Sequence, residues 1–375
     1  MRLLKLEANN YRSLHQGSVE LGNLNLFIGA NAAGKSTLLD ALRFLHDGVQ
    51  ARDFHGPVYT RGGIVNLAWK GDEADSIGLG VHLHDGHRTY EWSIRLVREG
   101  YDFHVEEHVH EFRDGRPPST LLTANGGGGW WWSGEHGRVD LKQAETTCAL
   151  AAAAADASFP ARSIAEFVAR WGFFDPNPFL LRRDWTGLDS TQFDPYGRNL
   201  GTTLYALQRS SPEVLKRIVE ATRATVGLPA EIEPRESDDR FFFVQREPGL
   251  QYPVHQMGAS SGTLRIMALM TALLAEPNAN LIGIEEPENY VHPSALSAFV
   301  EHLNDARDRV QFMVTTHSPL LLDYLDEPAA VRVVRRQEEG TTVDEATDAE
   351  GIRAALEASG FTLGQFYESK GFGAN

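Results

Sequence analysis

GANAAGKST occupies Gly29 to Thr37. The stretch satisfies the pattern G-x-x-x-x-G-K-[ST], and its flanks are those the pattern requires. LNLFIG (Leu24–Gly29) reads as a buried strand. STLLDALRFLHDG (Ser36–Gly48) reads as a helix, with Leu38, Leu39, Leu42 and Leu45 on one face and Gly48 at its end. Gly29 and Gly34 let the backbone curl so that successive N–H groups converge, and the helix N-terminus adds partial positive charge. Lys35 reaches the β- and γ-phosphates, and the Ser36 hydroxyl ligates Mg²⁺. A nucleoside triphosphate site on an α/β sheet is the reading.

Phosphate binding alone leaves kinases, GTPases and ATPases open. LIGIEEPENYVHP (Leu281–Pro293) narrows the choice. Leu281 to Ile284 are apolar or glycine, so a buried strand delivers two adjacent carboxylates at its C-terminal end, where open α/β sheets hold ligands. A cation offsets their repulsion. Glu285 is expected to hold Mg²⁺ and Glu286 to accept a proton from the attacking water. A second apolar strand, VQFMVTTHSP (Val310–Pro319), ends in Thr315-Thr316 with His317 after it, placed to meet a γ-phosphate or a water. In MGASSGTLRIMAL (Met257–Leu269), Ser260, Ser261 and Gly262 precede a helix expected to start near Thr263. Such a start serves as an N-cap or a second anion site.

Elsewhere the pattern is β-rich, then helical. IGLGVHLHDG, RTYEWSIRLVREG and YDFHVEEHVHEF alternate between Ser76 and Phe112, with turns at Asp85-Gly86 and Glu99-Gly100, and read as an antiparallel meander. HVEEH (His104–His108) fits H-x-x-E-H, but that zinc pattern requires a helix and this segment alternates as a strand. TANGGGGWWWSGEHG (Thr123–Gly137) reads as a flexible loop whose tryptophans either cap a core edge or meet a partner. CALAAAAADA (Cys148–Ala157) reads as a packed helix or connector. Helical patterns follow at Ile164–Trp171, Thr202–Leu207 and Pro212–Val226, then a hairpin over Glu231–Val254. Helix and strand alternate after that, as in a parallel sheet.

The 375 residues, 42% hydrophobic, suffice for a large core. With 51 acidic against 35 basic residues the formal charge is -16, which argues against a broad, non-specific nucleic-acid surface. Arg182, Arg183 and Trp185 form a local exception, as a contact site or as solvated residues at a turn. The single cysteine, Cys148, fits a reducing cytoplasm. MRLLKLEANNYRSL is interrupted by Lys5 and Glu7 too early for a signal peptide. No stretch reaches the ~20 apolar residues of a membrane span.

Phosphate loop, serine-glycine helix start, acidic strand end and post-strand histidine follow one another in the order of ABC-class ATPases. The details resemble the RecF/SMC/OLD branch: Asn31 in the loop, SSGTLR, IEEPENYVHP, TTHSP, and LEANNYRSL near the start. GRNLGTTLYAL and the tail GFTLGQFYESKGFGA look like those of stand-alone bacterial RecF-like ATPases. Ala32 and Ala33 depart from the branch's usual Gly and Ser. No glutamine loop and no nuclease-type constellation is found.

The resemblance implies a P-loop NTPase fold of the α/β class, an ABC-type ATPase head with an antiparallel β subdomain and an inserted helical lobe. The expected division is 1–120 with the phosphate loop, 121–254 as insertion, and 255–375 with signature, acidic strand and histidine. Gly29, Asn31, Ala33, Gly34, Lys35, Ser36, Thr37, Ser260 and Gly262 are expected to bind ATP. Ser36 and Glu285 are expected to bind Mg²⁺, with Glu286 and His317 catalytic. A homodimer closing head to tail on ATP is expected, each copy lending Ser260 to the other. Its client is DNA in repair or maintenance, or an effector protein of a phage-defence or toxin system; a nucleotide-sensing scaffold with little turnover is the third reading. No coiled-coil heptads occur.

Overall fold

The computed structural model describes residues 1–69, 75–113, 115–134, 136–183, 192–227, 230–275, 278–325, 327–345 and 349–369. Trp185 and the last residues of the tail fall outside them. The chain forms two compact units, interleaved in sequence: Met1–Trp171 with Ala329–Thr347, and Gly172–Pro328 with Asp348–Asn375.

Unit one holds an eight-stranded sheet whose neighbours all run antiparallel. Period-two burial builds it. Tyr90, Trp92, Ile94 and Leu96 of strand Thr89–Glu99 are buried, as are Phe103, Val105 and Val109 of strand Asp102–Phe112. The expected meander is therefore real, and it continues to Lys142.

That continuation corrects the flexible-loop expectation at Thr123–Gly137. Strands Ser119–Asn125 and Gly128–Ser133 form a hairpin turned by Gly126 and Gly127, both at positive φ. Trp131 is buried with an edge contact to Phe159, while Trp132 is 49% exposed and Trp130 carries the Arg138 guanidinium over its ring. The glycines mark a close approach: a Cβ on Gly129 would sit 2.3 Å from the Thr123 carbonyl oxygen.

The same unit carries the completely buried strand Leu24–Ile28, parallel to Val331–Gln337, which hairpins into Gly340–Glu345. Helix Lys35–Ala51 follows the phosphate loop and runs past Gly48. Gly48 does not end it. A Cβ there would lie 2.1 Å from the Phe54 ring, so glycine makes room for a core aromatic.

Unit two pairs strands Leu281–Glu285 and Gln311–Thr316 in parallel, crossed over by helix Pro293–Ala306. Strand Trp171–Phe174 lies beside Leu281–Glu285. The helical pattern expected over Ile164–Trp171 stops at Val168, because Trp171 opens that strand. Helix Pro212–Val226 packs against helix Ser261–Leu274, and helix Leu200–Ser210 packs on the small sheet of strands Glu231–Ser237, Arg240–Arg246 and Val254–His255. From Thr263 to Leu273 helix Ser261–Leu274 is buried throughout. The tail helix Leu363–Glu368 is started by a Thr362–Gln365 capping box. No described helix is long and apolar enough to cross a membrane.

HVEEH lies in strand Asp102–Phe112 with His104 and His108 on one face and Glu107 on the other, so the zinc pattern cannot assemble. Glu107 is instead a completely buried structural carboxylate. It accepts from the Trp92 indole at 2.8 Å and from the N–H groups of Ala149 and Leu150 at 2.6 and 2.9 Å. Burial pushes its pKa up to about 7 against those donors.

Glu107→Gln exchanges one acceptor oxygen for an amide facing donors and should cost about 1–3 kcal/mol. The native carboxyl, raised above its unfolded value, binds more protons folded than unfolded between pH 4.5 and about 7. Wild-type stability relative to Glu107→Gln should therefore fall by up to about 3 kcal/mol as pH rises through that window. Urea unfolding at both ends checks this, and a pH-independent gap would refute the raised value.

Candidate functional site

The phosphate-loop cluster belongs to unit one. Gly34 adopts φ 110 and Ala32 φ 61, giving the loop two left-handed residues and its curl. Both glycines are required by contact. A Cβ on Gly29 would lie 2.2 Å from the Val334 carbonyl oxygen, and one on Gly34 2.2 Å from Thr341 Oγ1. Lys35 is 4% exposed, and its Nζ donates to the carbonyls of Gly29 at 2.8 Å and Ala30 at 3.1 Å. The ammonium is thus folded over the loop at the N-terminus of helix Lys35–Ala51.

Asn31 and Ser36 are exposed on the loop and the first turn. Ala33 faces inward: its methyl is buried and its N–H goes to the Ala30 carbonyl at 3.2 Å. Thr37 Oγ1 accepts from Ser13 Oγ at 3.1 Å. Ser13 and Thr341, which sequence reasoning missed, brace the loop from outside. Thr341 Oγ1 lies 2.9 Å from Ser13 Oγ and donates to the Ala33 carbonyl at 2.8 Å, while Thr341 N–H meets the Ser13 carbonyl.

The Tyr11-Arg12-Ser13 turn is fixed to the same helix. Tyr11 donates to Asp40 Oδ2 at 2.6 Å, Arg61 donates to Asp40 Oδ1 at 2.9 Å, and Arg12 lies 3.2 Å from Asp40 Oδ2. Burial, with Asp40 beside it, holds the Tyr11 hydroxyl well above its ordinary pKa, so it stays a donor.

The acidic cluster belongs to unit two. Glu285 ends its strand opposite Thr315, and Glu286 follows at φ 42, a left-handed conformation uncommon for a side-chain-bearing residue. Such backbone costs about 1–3 kcal/mol and persists where neighbours over-determine it. Three bonds do so. Glu286 N–H donates to the Thr315 carbonyl at 2.9 Å, and Arg265 Nη2 donates to the carbonyls of Glu285 and Glu286, each at 2.8 Å. Arg265 is 1% exposed; its Nη1 also reaches Asp175 Oδ1 at 3.3 Å and the Pro176 carbonyl.

Glu286 Oε2 accepts from Asn289 Nδ2 at 2.8 Å, and Glu286 Oε1 stands 3.7 Å from His317 Nδ1. The acidic pair and the histidine are therefore brought together. Ser260 is the N-cap of helix Ser261–Leu274, accepting from Thr263 N–H at 3.1 Å, so the helix starts two residues before the expected Thr263. A Cβ on Gly262 would meet the Tyr290 carbonyl oxygen at 3.0 Å, bringing the helix start against the turn after the acidic pair.

Arg182 is not a solvated residue of a turn. It donates to the carbonyls of Met257 and Ala259 and to Ser261 Oγ, holding the approach to Ser260. Arg183 stacks on Phe179. Arg265 and Asn289 were missed from the sequence. The available signal for Arg265 was a lone arginine inside the apolar run TLRIMALMTALL.

Two family models match parts of the chain: "AAA ATPase domain" over residues 1–77 and "AAA domain, putative AbiEii toxin, Type IV TA system" over residues 176–323. The OLD nuclease of Thermus scotoductus (strain ATCC 700910 / SA-01) is 23% identical over 365 residues, covering 91% of this chain. The chain spans 63% of that relative's length. Among solved structures, an SMC head bound to the C-winged helix domain of ScpA superposes with TM-score 0.57 at 13% identity, covering 94% of this chain and all of that one. An SMC head with an extended coiled coil, bound to the C-terminal domain of ScpA derived from Pyrococcus furiosus, gives 0.54 at 12% identity over 95% and 99%. These likenesses show the fold. One ATPase-domain model thus matches the phosphate-loop segment and another matches the acidic segment, and the chain is similar in sequence to an OLD nuclease.

Proposed function

We propose that the chain is a Mg²⁺-dependent ATPase that closes head to tail with a second copy on binding ATP, and that this closure serves DNA repair or maintenance. The observation that carries the hydrolytic part is the acidic strand end, where a strained backbone at Glu286 is held by a buried arginine and the carboxylate faces a histidine. The residues fit the nucleotide and its ion. Lys35 and the curled loop offer donors to phosphate oxygens, and Ser36, exposed at the helix start, and Glu285 offer hard oxygen ligands. Bound Mg²⁺ supplies neutralisation of the charge that develops on the phosphates.

The chain's own steps follow from chemistry. Lys35 trades the carbonyls of Gly29 and Ala30 for phosphate oxygens, a charge-assisted exchange. Glu286 takes the proton of the attacking water at its carboxylate, and Asn289 orients that carboxylate from Oε2. His317 holds the water. Ser260, at a helix N-terminus, faces the γ-phosphate of the second copy. A reducing cytoplasm is the proposed setting. The second reading, an ATP-gated subunit controlling a separate effector, is favoured by the toxin-system description of the model matching residues 176–323 and by the formal charge of -16. Stimulation of turnover by double-stranded DNA supports the first reading; co-purification of a nuclease or toxin supports the second.

Lys35→Ala should remove most Mg-ATP affinity, measured by calorimetry; unchanged binding would refute the phosphate-loop assignment. Glu286→Gln should retain Mg-ATP and lower turnover ~100-fold or more, as loss of a general base does. Wild-type turnover in that variant would end the base assignment.

Shared sites predict complementation. Ser260→Arg and Lys35→Ala should each be inactive alone, but after subunit exchange one composite site of the heterodimer is intact. Turnover should return to at most roughly a quarter of wild type for random pairing in a closed two-fold dimer. Ser260→Arg also removes an N-cap, at about 1 kcal/mol, so circular dichroism must first show it folded. If ATP leaves Glu286→Gln monomeric by light scattering, and mixing restores nothing, the head-to-tail dimer is rejected.

A further inference from the structure

A third carboxylate, outside the acidic pair, controls the histidine. The Glu288 side chain is 8% exposed. Its Oε1 accepts from Thr316 Oγ1 at 2.6 Å and from the His317 backbone N–H at 2.9 Å. His317 Nδ1 lies 3.3 Å from the same oxygen. The Thr316 hydroxyl is itself oriented, because its oxygen accepts from Ser318 N–H at 3.0 Å and so turns its proton to Glu288. The donor chain runs one way, from Ser318 through Thr316 into Glu288 Oε1. An acceptor loaded in this manner, held rigidly by the strand end, presents only lone pairs to the imidazole.

A ring nitrogen facing a fixed acceptor carries the proton, and the other nitrogen takes the complementary role. We infer that Glu288 is the positioning residue of His317: it fixes the ring and keeps the neutral proton on Nδ1, leaving Nε2 as an acceptor for the attacking water. The inference rests on the proposed role of His317. One water hydrogen then points to Glu286 and the other to Nε2, which aims an oxygen lone pair away from both. Glu288, whose contacts are Thr316 and His317, acts through the ring.

The Oε2 atom makes the test selective. It is buried and has no hydrogen-bond partner among the described residues, whereas Oε1 takes all the donors. Glu288→Gln can keep a carbonyl oxygen at the Oε1 position, losing the charge and placing an amide NH₂ at the buried Oε2 position, while Glu288→Leu loses the acceptor. Glu288→Leu should lower kcat ~10–100-fold, in the range of a mispositioned catalytic group, with Mg-ATP affinity nearly unchanged. Glu288→Gln should recover most of that loss. In a His317→Ala background, Glu288→Leu should cost less than about 2-fold more, because residues acting through one another are non-additive.

Side-chain ¹⁵N NMR of the wild-type protein at about pH 8.5, where imidazoles are neutral, should show His317 with its proton on Nδ1. This measurement stands even if Glu288→Leu does not fold. An Nε2-protonated His317, or a full additional loss in the His317→Ala background, overturns the inference. If His317→Ala itself keeps wild-type turnover, the proposed role of His317 fails instead, whatever the NMR shows.

Discussion

The acidic site depends on where one guanidinium points. Arg265 is 1% exposed on a helix otherwise apolar from Leu264 to Leu273 apart from Thr271. Burying a cation there costs several kcal/mol unless its hydrogens are used. Its Nη hydrogens are used, on the carbonyls of Glu285, Glu286 and Pro176 and on Asp175 Oδ1, while Nε is buried without a hydrogen-bond partner among the described residues. Bound carbonyls cannot rotate, so the left-handed turn at Glu286 is fixed from both sides of its peptide. The arginine also ties the end of strand Trp171–Phe174 to the end of strand Leu281–Glu285. An apolar residue at 265 would fill the space but leave the buried carbonyls without a donor.

The phosphate loop has an analogous brace made from distant sequence. Thr341 lies far along the chain, yet its hydroxyl and N–H reach Ala33 and Ser13 across the Gly34 backbone. The hairpin carrying it starts with the strand parallel to Leu24–Ile28, so the strand that feeds the loop and the turn that backs it share one sheet segment. Gly34 is therefore constrained twice: by φ 110, and by Thr341 Oγ1 standing where a Cβ would project. The Tyr11–Asp40–Arg61 network adds a third hold, on the helix rather than the loop.

Local chemistry is what the sequence displayed well. The loop, the strand before it and the strand ends carrying Glu285 and His317 are set by adjacent residues, and their places in the fold were legible. So was the meander, because alternation is a short-range signal. What failed had a non-local cause. The hairpin at Ser119–Ser133 was hidden because Gly126 to Gly129 look like a loop, when they permit a tight turn and a close strand approach. Gly48 looked like a helix end until Phe54 was seen against it. Arg182 looked solvated because its acceptors lie more than seventy positions away at Met257 and Ala259. Arg265 and Thr341 act on backbone atoms of remote segments, and no pattern of side-chain spacing reports that.

The same distinction bears on charge at the site. Glu285, Glu286 and Glu288 lie within four positions, and their repulsion has to be met by something. An arginine paired to one of the carboxylates would meet it, but would also occupy the lone pairs that a metal or a water needs. Arg265 instead binds the two carbonyls and the more distant Asp175, leaving Glu286 to an asparagine amide and Glu288 to a hydroxyl and an N–H. Neutral donors orient a carboxylate without cancelling its charge. The carboxylates therefore keep their negative charge uncancelled, which is what the proposed binding of a divalent cation requires.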